Sequence, residues 1–208
     1  RIRAAQQRPP QAGETERAAV SDYLERHPRG PRPPVPEDLH ARFRVAALAL
    51  QTTLDEVASL ADVPGAVKRY LDAGGLPARA IAWRTLAELP WSAAGCELEF
   101  RPPRDGDMVG ITGCFCATAE TGSLALVSGP DTYPSASLLP ETHIAILPVS
   151  RIVAGHEEAL RAMIAELGEL PRAVNFISGP SRTADIEQTL VFGAHGPYRV
   201  HVIIVMDA

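Results

Sequence analysis

The stretch Asn175-Phe-Ile-Ser-Gly-Pro-Ser-Arg-Thr-Ala-Asp-Ile-Glu187 gathers side chains suited to holding a small anion. Ala173 to Ile177 is an apolar run of strand length, and Thr183 to Phe192 places Ile186 and Leu190 four residues apart, the spacing of one helix face. The junction therefore reads as a strand passing through Gly179-Pro180 into the first turn of a helix. Such a turn carries N–H groups without intrahelical partners and a partial positive charge. Ser181, Arg182 and Thr183 would add two hydroxyls and a guanidinium, a set that suits a carboxylate or a phosphate. The same residues also fit ordinary helix chemistry, with Ser181 as the N-cap, Arg182 as a solvated charge and Asp185 as an acid offsetting the dipole. Asp185 and Glu187 project to different sides of such a helix, and Asp185, nearer its start, is the better candidate for the anion site.

Two further residues carry chemistry. Glu120 stands in Ala119-Glu-Thr-Gly122, directly after the apolar Cys114-Phe-Cys-Ala117. Partial burial there would raise its pKa and suit it to act as a nucleophile or general base, with Thr121 beside it in the site. The alternative is a solvent-facing turn in which Gly122 supplies the positive φ. His195 lies in Gly193-Ala-His-Gly-Pro197, where its imidazole is placed either to reach a pocket or to cap the carbonyls of the preceding helix. His143 and His201 fall in strands and read as structural; His27, His40 and His156 read as surface residues. The chain lacks a Gly-x-Gly-x-x-Gly after a strand, a Walker loop and a nucleophile elbow, so dinucleotide, triphosphate and serine-hydrolase chemistry lose support.

The three cysteines are Cys96, Cys114 and Cys116. The last two, at i and i+2 of one strand-like run, would point the same way. A bridge between them would be strained, because disulfides need Cβ atoms converging to about 3.8 Å. Reduced thiols in a cytoplasmic setting are expected, and with no Cys-x-x-Cys or matching histidine pair, no metal site is expected.

These residues need a scaffold, and 208 residues suffice for one sizeable core. With 46% hydrophobic and 22% charged residues and a formal net charge of -5, the chain has the composition of a soluble globular protein and is a poor candidate for general nucleic-acid or anionic-membrane binding. The longest candidate span, Val200 to Met206, is interrupted by His201, reads as a buried strand and is far short of a membrane span. Residues 1–51 read as a helical N-terminal extension: a helix over Glu14–Arg26, the proline-rich linker His27 to Pro36, and a second helical stretch over Glu37–Leu50. From residue 52 to 208, strands and helices alternate. The spacing predicts strands at Thr53–Val57, Ala78–Trp83, Cys96–Phe100, Asp107–Ala117, Ser123–Val127, Thr142–Val149, Ala173–Ile177 and Arg199–Met206, with helices at Val63–Ala73, Glu157–Leu167 and Thr183–Phe192. This is an α/β pattern: a mainly parallel sheet flanked by helices, with a ligand crevice outside the carboxyl ends of its strands. Thr118–Gly122, Ser178–Thr183 and Gly193–Pro197 are the loops expected to line it.

Four segments in order, Gly110-Ile-Thr-Gly-Cys-Phe-Cys-Ala-Thr-Ala-Glu-Thr-Gly-Ser123, Leu138-Leu-Pro-Glu-Thr-His-Ile144, Asn175 to Glu187 and His195-Gly-Pro197, resemble the lactate-utilisation protein C family, whose members carry a LUD domain. The resemblance implies a fold related to sugar-phosphate isomerases, coenzyme A transferases and the formyltetrahydrofolate cyclo-ligase group. It implies one component of a three-protein cytosolic system that oxidises L-lactate to pyruvate, beside a cysteine-rich partner and an iron–sulfur partner. By position, Glu120 and Thr121 match the family's Glu-Thr-Gly, and Ser181, Arg182, Thr183, Asp185 and Glu187 match its Ser-Arg-Thr-Ala-Asp-Ile-Glu; Tyr133-Pro-Ser135 is less typical. With three cysteines, this chain would be the member that binds no cluster itself. Two functional expectations follow: a subunit of lactate oxidation that binds a small carboxylate or its protein partners, or a free-standing enzyme or metabolite sensor acting on a small carboxylate, acyl thioester or sugar phosphate.

Overall fold

The structure is a computed structural model, and it describes the chain apart from residues 27, 29, 32, 33, 35, 36, 185–187, 190 and 208. Asp185, Glu187, the pair Ile186 and Leu190, His27 and much of the proline-rich linker therefore lie outside the described residues. The chain divides into two units, Arg1–Pro34 and Val35–Ala208.

In the first unit, α1 (Ile2–Ala5) and α2 (Glu14–Arg26) are joined through an arginine hub. The Arg3 guanidinium donates to Glu16 at 2.7 Å and to the carbonyl of Pro9 at 2.6 Å, and it holds the Glu16 carboxyl below the usual carboxylate range. No residue of α2 is buried, and Val20, Tyr23 and Leu24 form an exposed apolar stripe at helical spacing.

The second unit begins with α3 (Leu39–Ala49), so this helix belongs to the α/β body rather than to the amino-terminal unit. Asp38 caps its start by accepting from Ala41 N. Its end closes with Thr52 N donating to Ala47 O and Gln51 N to Leu48 O, with Gln51 left-handed at φ 66°. Phe43 and Ala47 are fully buried. Then follow β1 (Thr53–Val57), α4 (Val63–Ala73), β2 (Arg79–Ala82), β3 (Glu97–Glu99), β4 (Val109–Gly113), β5 (Cys116–Thr118), β6 (Ser123–Val127), β7 (Thr142–Pro148), β8 (Ile152–Val153), α5 (His156–Leu167), β9 (Val174–Ile177), β10 (Arg182–Thr183), β11 (Val191–Phe192) and β12 (Arg199–Val205).

Six strands form a parallel sheet in the order β1-β12-β7-β4-β2-β3. Its central strands β12 and β7 are almost continuously apolar and buried, as strands covered on both faces must be. Val63, Ala66, Val67 and Leu71 of α4 pack into that core. A second sheet, β8-β5-β6-β9, contributes Ala117, Leu124 and Leu126 to the same core, while Cys116 and Ala125, pointing the other way, meet Ala159 and Met163 of α5. The α/β reading and the mainly parallel sheet stand.

Two sequence expectations are corrected. The run Asp107–Ala117 is two strands in two different sheets: β4 ends at Gly113, the chain turns at Cys114 and Phe115, and β5 begins at Cys116. Cys114 and Cys116 consequently face different cores instead of lying side by side. The helix expected over Thr183–Phe192 is also absent from the described residues of that stretch, because Arg182–Thr183 and Val191–Phe192 pair as an antiparallel ladder. The β-branched and aromatic residues at its ends suit a ladder, and the Ile186/Leu190 spacing was its main helical signal. Ser181 adds a tether, its N–H donating to Pro197 O and its C=O accepting from Gly193 N.

Candidate functional site

Thr118 ends β5, and the turn after it carries Glu120. Ala119 N and Glu120 N donate to Val153 O and Ala154 O, and Gly122 N closes the turn onto Thr118 O at 2.9 Å. The Glu120 carbonyl accepts from Arg42 Nη2 of α3 at 3.0 Å. Its side chain is half-buried, and the carboxylate has no hydrogen-bond or ion-pair partner among the described residues. Thr121 belongs to a chain of hydroxyls: Thr118 Oγ1 to Thr121 Oγ1 at 2.7 Å, Thr121 Oγ1 to Ser123 Oγ at 2.8 Å, and Ser123 Oγ to Ser178 Oγ at 2.7 Å. That chain ties the Glu120 turn to the segment after β9.

The glycines at these two places are fixed by α3. Gly122, at φ 67°, lies so close that a Cβ would collide with Ala47 N, and Gly179, at φ 76°, would collide with Leu50 O. Both motifs are thus clamped beneath the end of one helix, a role that spacing in the sequence did not reveal.

Beyond Gly179 the segment runs to the amino end of the six-stranded sheet. Ser181 Oγ accepts from His195 N at 3.3 Å, so Ser181 and His195 are brought together, although the contact uses the His195 backbone and its side chain is exposed. Arg182 is exposed and, among the described residues, reaches Leu50 O at 3.4 Å. Thr183 pairs with Val191 in the ladder. With Ser181 and Thr183 in extended chain, the proposed helix N-terminus is absent from this place, and Ser181 is no N-cap. The expected crevice moves as well. Two of the three loops leave strands of the second sheet, and the third enters β12 at its amino end, so they do not gather outside the carboxyl ends of the parallel strands.

Pro180 of the second loop instead lines a cavity of about 250 Å³ at the amino ends of β1 and β12. Pro180, Phe192 and Tyr198 form one wall and Thr53 and Tyr70 the other, with Arg199 at its edge. Arg199 Nη1 donates to Glu141 Oε1 at 2.8 Å and its guanidinium lies 5.0 Å from the Tyr198 ring centre. Thr53 Oγ1 and His201 Nδ1 are 2.8 Å apart, and the Tyr70 ring stacks on the His201 ring at 3.9 Å. Burial raises the Tyr70 hydroxyl pKa, partly offset by its hydrogen bond with Thr53 and by the Arg199 charge. Burial likewise lowers His201 to about 4, so this imidazole is neutral at pH 7. Its Nε2 is buried without a partner. Sequence reasoning missed Arg199, Tyr70 and Thr53. One signal was visible: a lone arginine opening the apolar strand Arg199–Val205.

Two larger hollows, about 650 and 510 Å³, flank the edge strand β3 and contain none of the motif residues. Elsewhere burial pushes the thiols of Cys114 and Cys116 up, the latter to about 11, so both are protonated at neutral pH. No group of three His, Cys, Asp or Glu positioned to hold a metal ion occurs among the described residues.

Residues 107–205 match the LUD domain family. Proteins named lactate utilization protein C are similar to part of the chain: that of Shouchella clausii (strain KSM-K16) is 46% identical over 101 residues, covering 48% of this chain and 44% of the relative. That of Bacillus subtilis (strain 168) is 45% identical over 102 residues, covering 48% and 42%. The matched region thus amounts to somewhat under half the length of these curated relatives. Among solved structures, a DUF162 family protein from Deinococcus radiodurans superposes with a TM-score of 0.60 at 26% identity, covering 83% of this chain and 99% of that one. Over residues 107–205 this chain is similar to LUD domains, and proteins named lactate utilization protein C are among those it resembles.

Proposed function

We propose that this chain takes part in lactate utilisation in the cytoplasm, as a component that carries no iron–sulfur cluster itself and works beside cysteine-rich and iron–sulfur partner proteins, binding a small carboxylate. The carrying observation is the 46% identity over 101 residues to a protein named lactate utilization protein C, beside the match of residues 107–205, which hold all four motifs, to the LUD domain. Geometry supports the reading, since Ser181 and His195 of two motif segments come together, and Pro180 beside Ser181 lines a small cavity at one end of the sheet. The chain's three free thiols, two of them buried and divided between separate cores, are a poor ligand set for a cluster and leave redox centres to partners. No helix among the described residues is long and apolar enough to cross a membrane. Removing the gene from its source is expected to impair growth on L-lactate and to spare growth on glucose; unchanged growth on lactate would contradict the proposal.

A second reading, a free-standing enzyme or sensor acting on a small carboxylate, acyl thioester or sugar phosphate, is favoured by one observation. Glu120 presents a half-buried carboxylate without a partner among the described residues, as a nucleophile or general base requires. Turnover by the isolated chain that disappears in Glu120→Gln with folding retained would favour this reading over the first.

A further inference from the structure

We infer that the cavity at the amino ends of β1 and β12 binds a small monocarboxylate, with the Arg199 guanidinium as its anchoring cation. At about 250 Å³ the space falls just below the range of about 300–1,000 Å³ that accommodates drug-sized ligands, so it admits a body of a few carbons. Arg199 is held in place from two sides. Its Nη1 is committed to Glu141, at 2.8 Å, and to Thr142 Oγ1, at 3.5 Å, while the Tyr198 ring lies under the guanidinium plane. The Nε and Nη2 donors have no partner among the described residues, and that edge of the planar fork matches the two oxygens of a carboxylate.

The other walls fix the ligand's class. Phe192 and Pro180 offer apolar surface for a short carbon chain, and the Thr53 and Tyr70 hydroxyls offer hydrogen bonds to an oxygen next to the carboxylate, as in a 2-hydroxy or 2-oxo acid. Thr53 is backed by His201 Nδ1 at 2.8 Å, so its hydroxyl is oriented. The charge count disfavours phosphate or a dicarboxylate. Among the described residues Arg199 is the one cationic side chain lining the cavity, Glu141 already neutralises one of its edges, and a dianion would meet that carboxylate at short range. Neither motif arginine nor any helix terminus is required.

This site rests on the lactate reading only for the choice of the first probes. The test is titration of the full chain with lactate, pyruvate, propionate, propionamide and inorganic phosphate, followed by the Nε–H resonance of Arg199, which its loss in Arg199→Lys assigns. The expected result is a saturating shift with the three carboxylates and none with the amide or phosphate, at least tenfold weaker binding in Arg199→Gln, and a several-fold loss for lactate in Thr53→Val. No saturable response to any carboxylate, or tighter binding of phosphate, would overturn the assignment, as would undiminished affinity in a folded Arg199→Gln. Should Arg199→Gln fail to fold, Thr53→Val on the exposed edge strand makes the decision: weakened lactate binding supports the site and unchanged binding overturns it. Carboxylate binding by a chain whose deletion leaves growth on lactate intact would sink the lactate reading and keep the site; a growth defect without carboxylate binding would do the reverse.

Discussion

At the scale of single residues, the chemistry visible in the sequence and the chemistry assembled by the fold overlap only in part. Glu120 and Thr121 were legible because an acid directly after a buried strand is unusual, and the structure leaves that carboxylate without a partner among the described residues. Arg182 was legible as a charge, yet it is exposed and, among the described residues, reaches Leu50 O. Arg182→Ala is therefore expected to change stability by less than about 0.5 kcal/mol, as for surface positions in general. A loss above about 1.5 kcal/mol in urea unfolding would contradict its exposed placement. Tyr70 and Thr53 were illegible, because what makes them notable is a meeting of α4, β1 and β12 that no local pattern encodes. The two buried histidines carry a pH prediction. Burial lowers His143 and His201 to about 4, below the ordinary 6.5 of an unfolded histidine, so the unfolded chain binds more protons between those values. Stability is thus intact above pH 6.5 and falls as pH drops through the window from 6.5 to about 4. The full effect is on the order of 3 kcal/mol per histidine. Urea midpoints at pH 7.5 and 5.0 check this, since carboxylate titration lies mostly below the window; equal midpoints would contradict it.

At the scale of elements, α3 organises the site. Its carboxyl end approaches Gly122 and Gly179 so closely that neither position accepts a Cβ, and both have positive φ. Gly122→Ala and Gly179→Ala are each expected to cost more than 2 kcal/mol, because backbone must shift and φ strain is added. Thermal unfolding of the two variants reads this directly, and a Tm within a degree of the parent would contradict it. The same helix offers a stabilising change. Gln51 occupies the left-handed position of a helix stop that glycine ordinarily fills, and Gln51→Gly is expected to gain up to about 1 kcal/mol; a loss would show that its side chain is needed. Elements with strong periodicity, such as Val63–Ala73 and Ser123–Val127, have the bounds that spacing predicts. The failures have a common physical cause. Met108–Ala117 is apolar apart from Thr112, and such a run does not announce where it leaves one sheet for another. The Thr183–Phe192 stretch has helical spacing in two residues, but tethers from Pro197 and Gly193, distant in sequence, hold its start extended.

At the scale of the whole molecule, the second unit is a parallel six-stranded sheet into whose core a smaller mixed sheet packs, backed by α5. Alternating strands and helices made the first sheet legible. The second sheet was not legible in that alternation, since β5 and β8, which pair within it, are three and two residues long. The cavity lined by Pro180 lies at the amino ends of β1 and β12, whereas a crevice outside the carboxyl ends of the parallel strands was expected. That placement leaves the proposed role in lactate utilisation standing on similarity and on the convergence of motif segments. Its most direct test is lactate-dependent dye reduction, with iron content, in material co-purified with the tagged chain from lactate-grown cells of its own source. The account predicts iron and lactate-dependent reduction in the co-purified fraction. A chain that comes down free of iron and of that activity would contradict it.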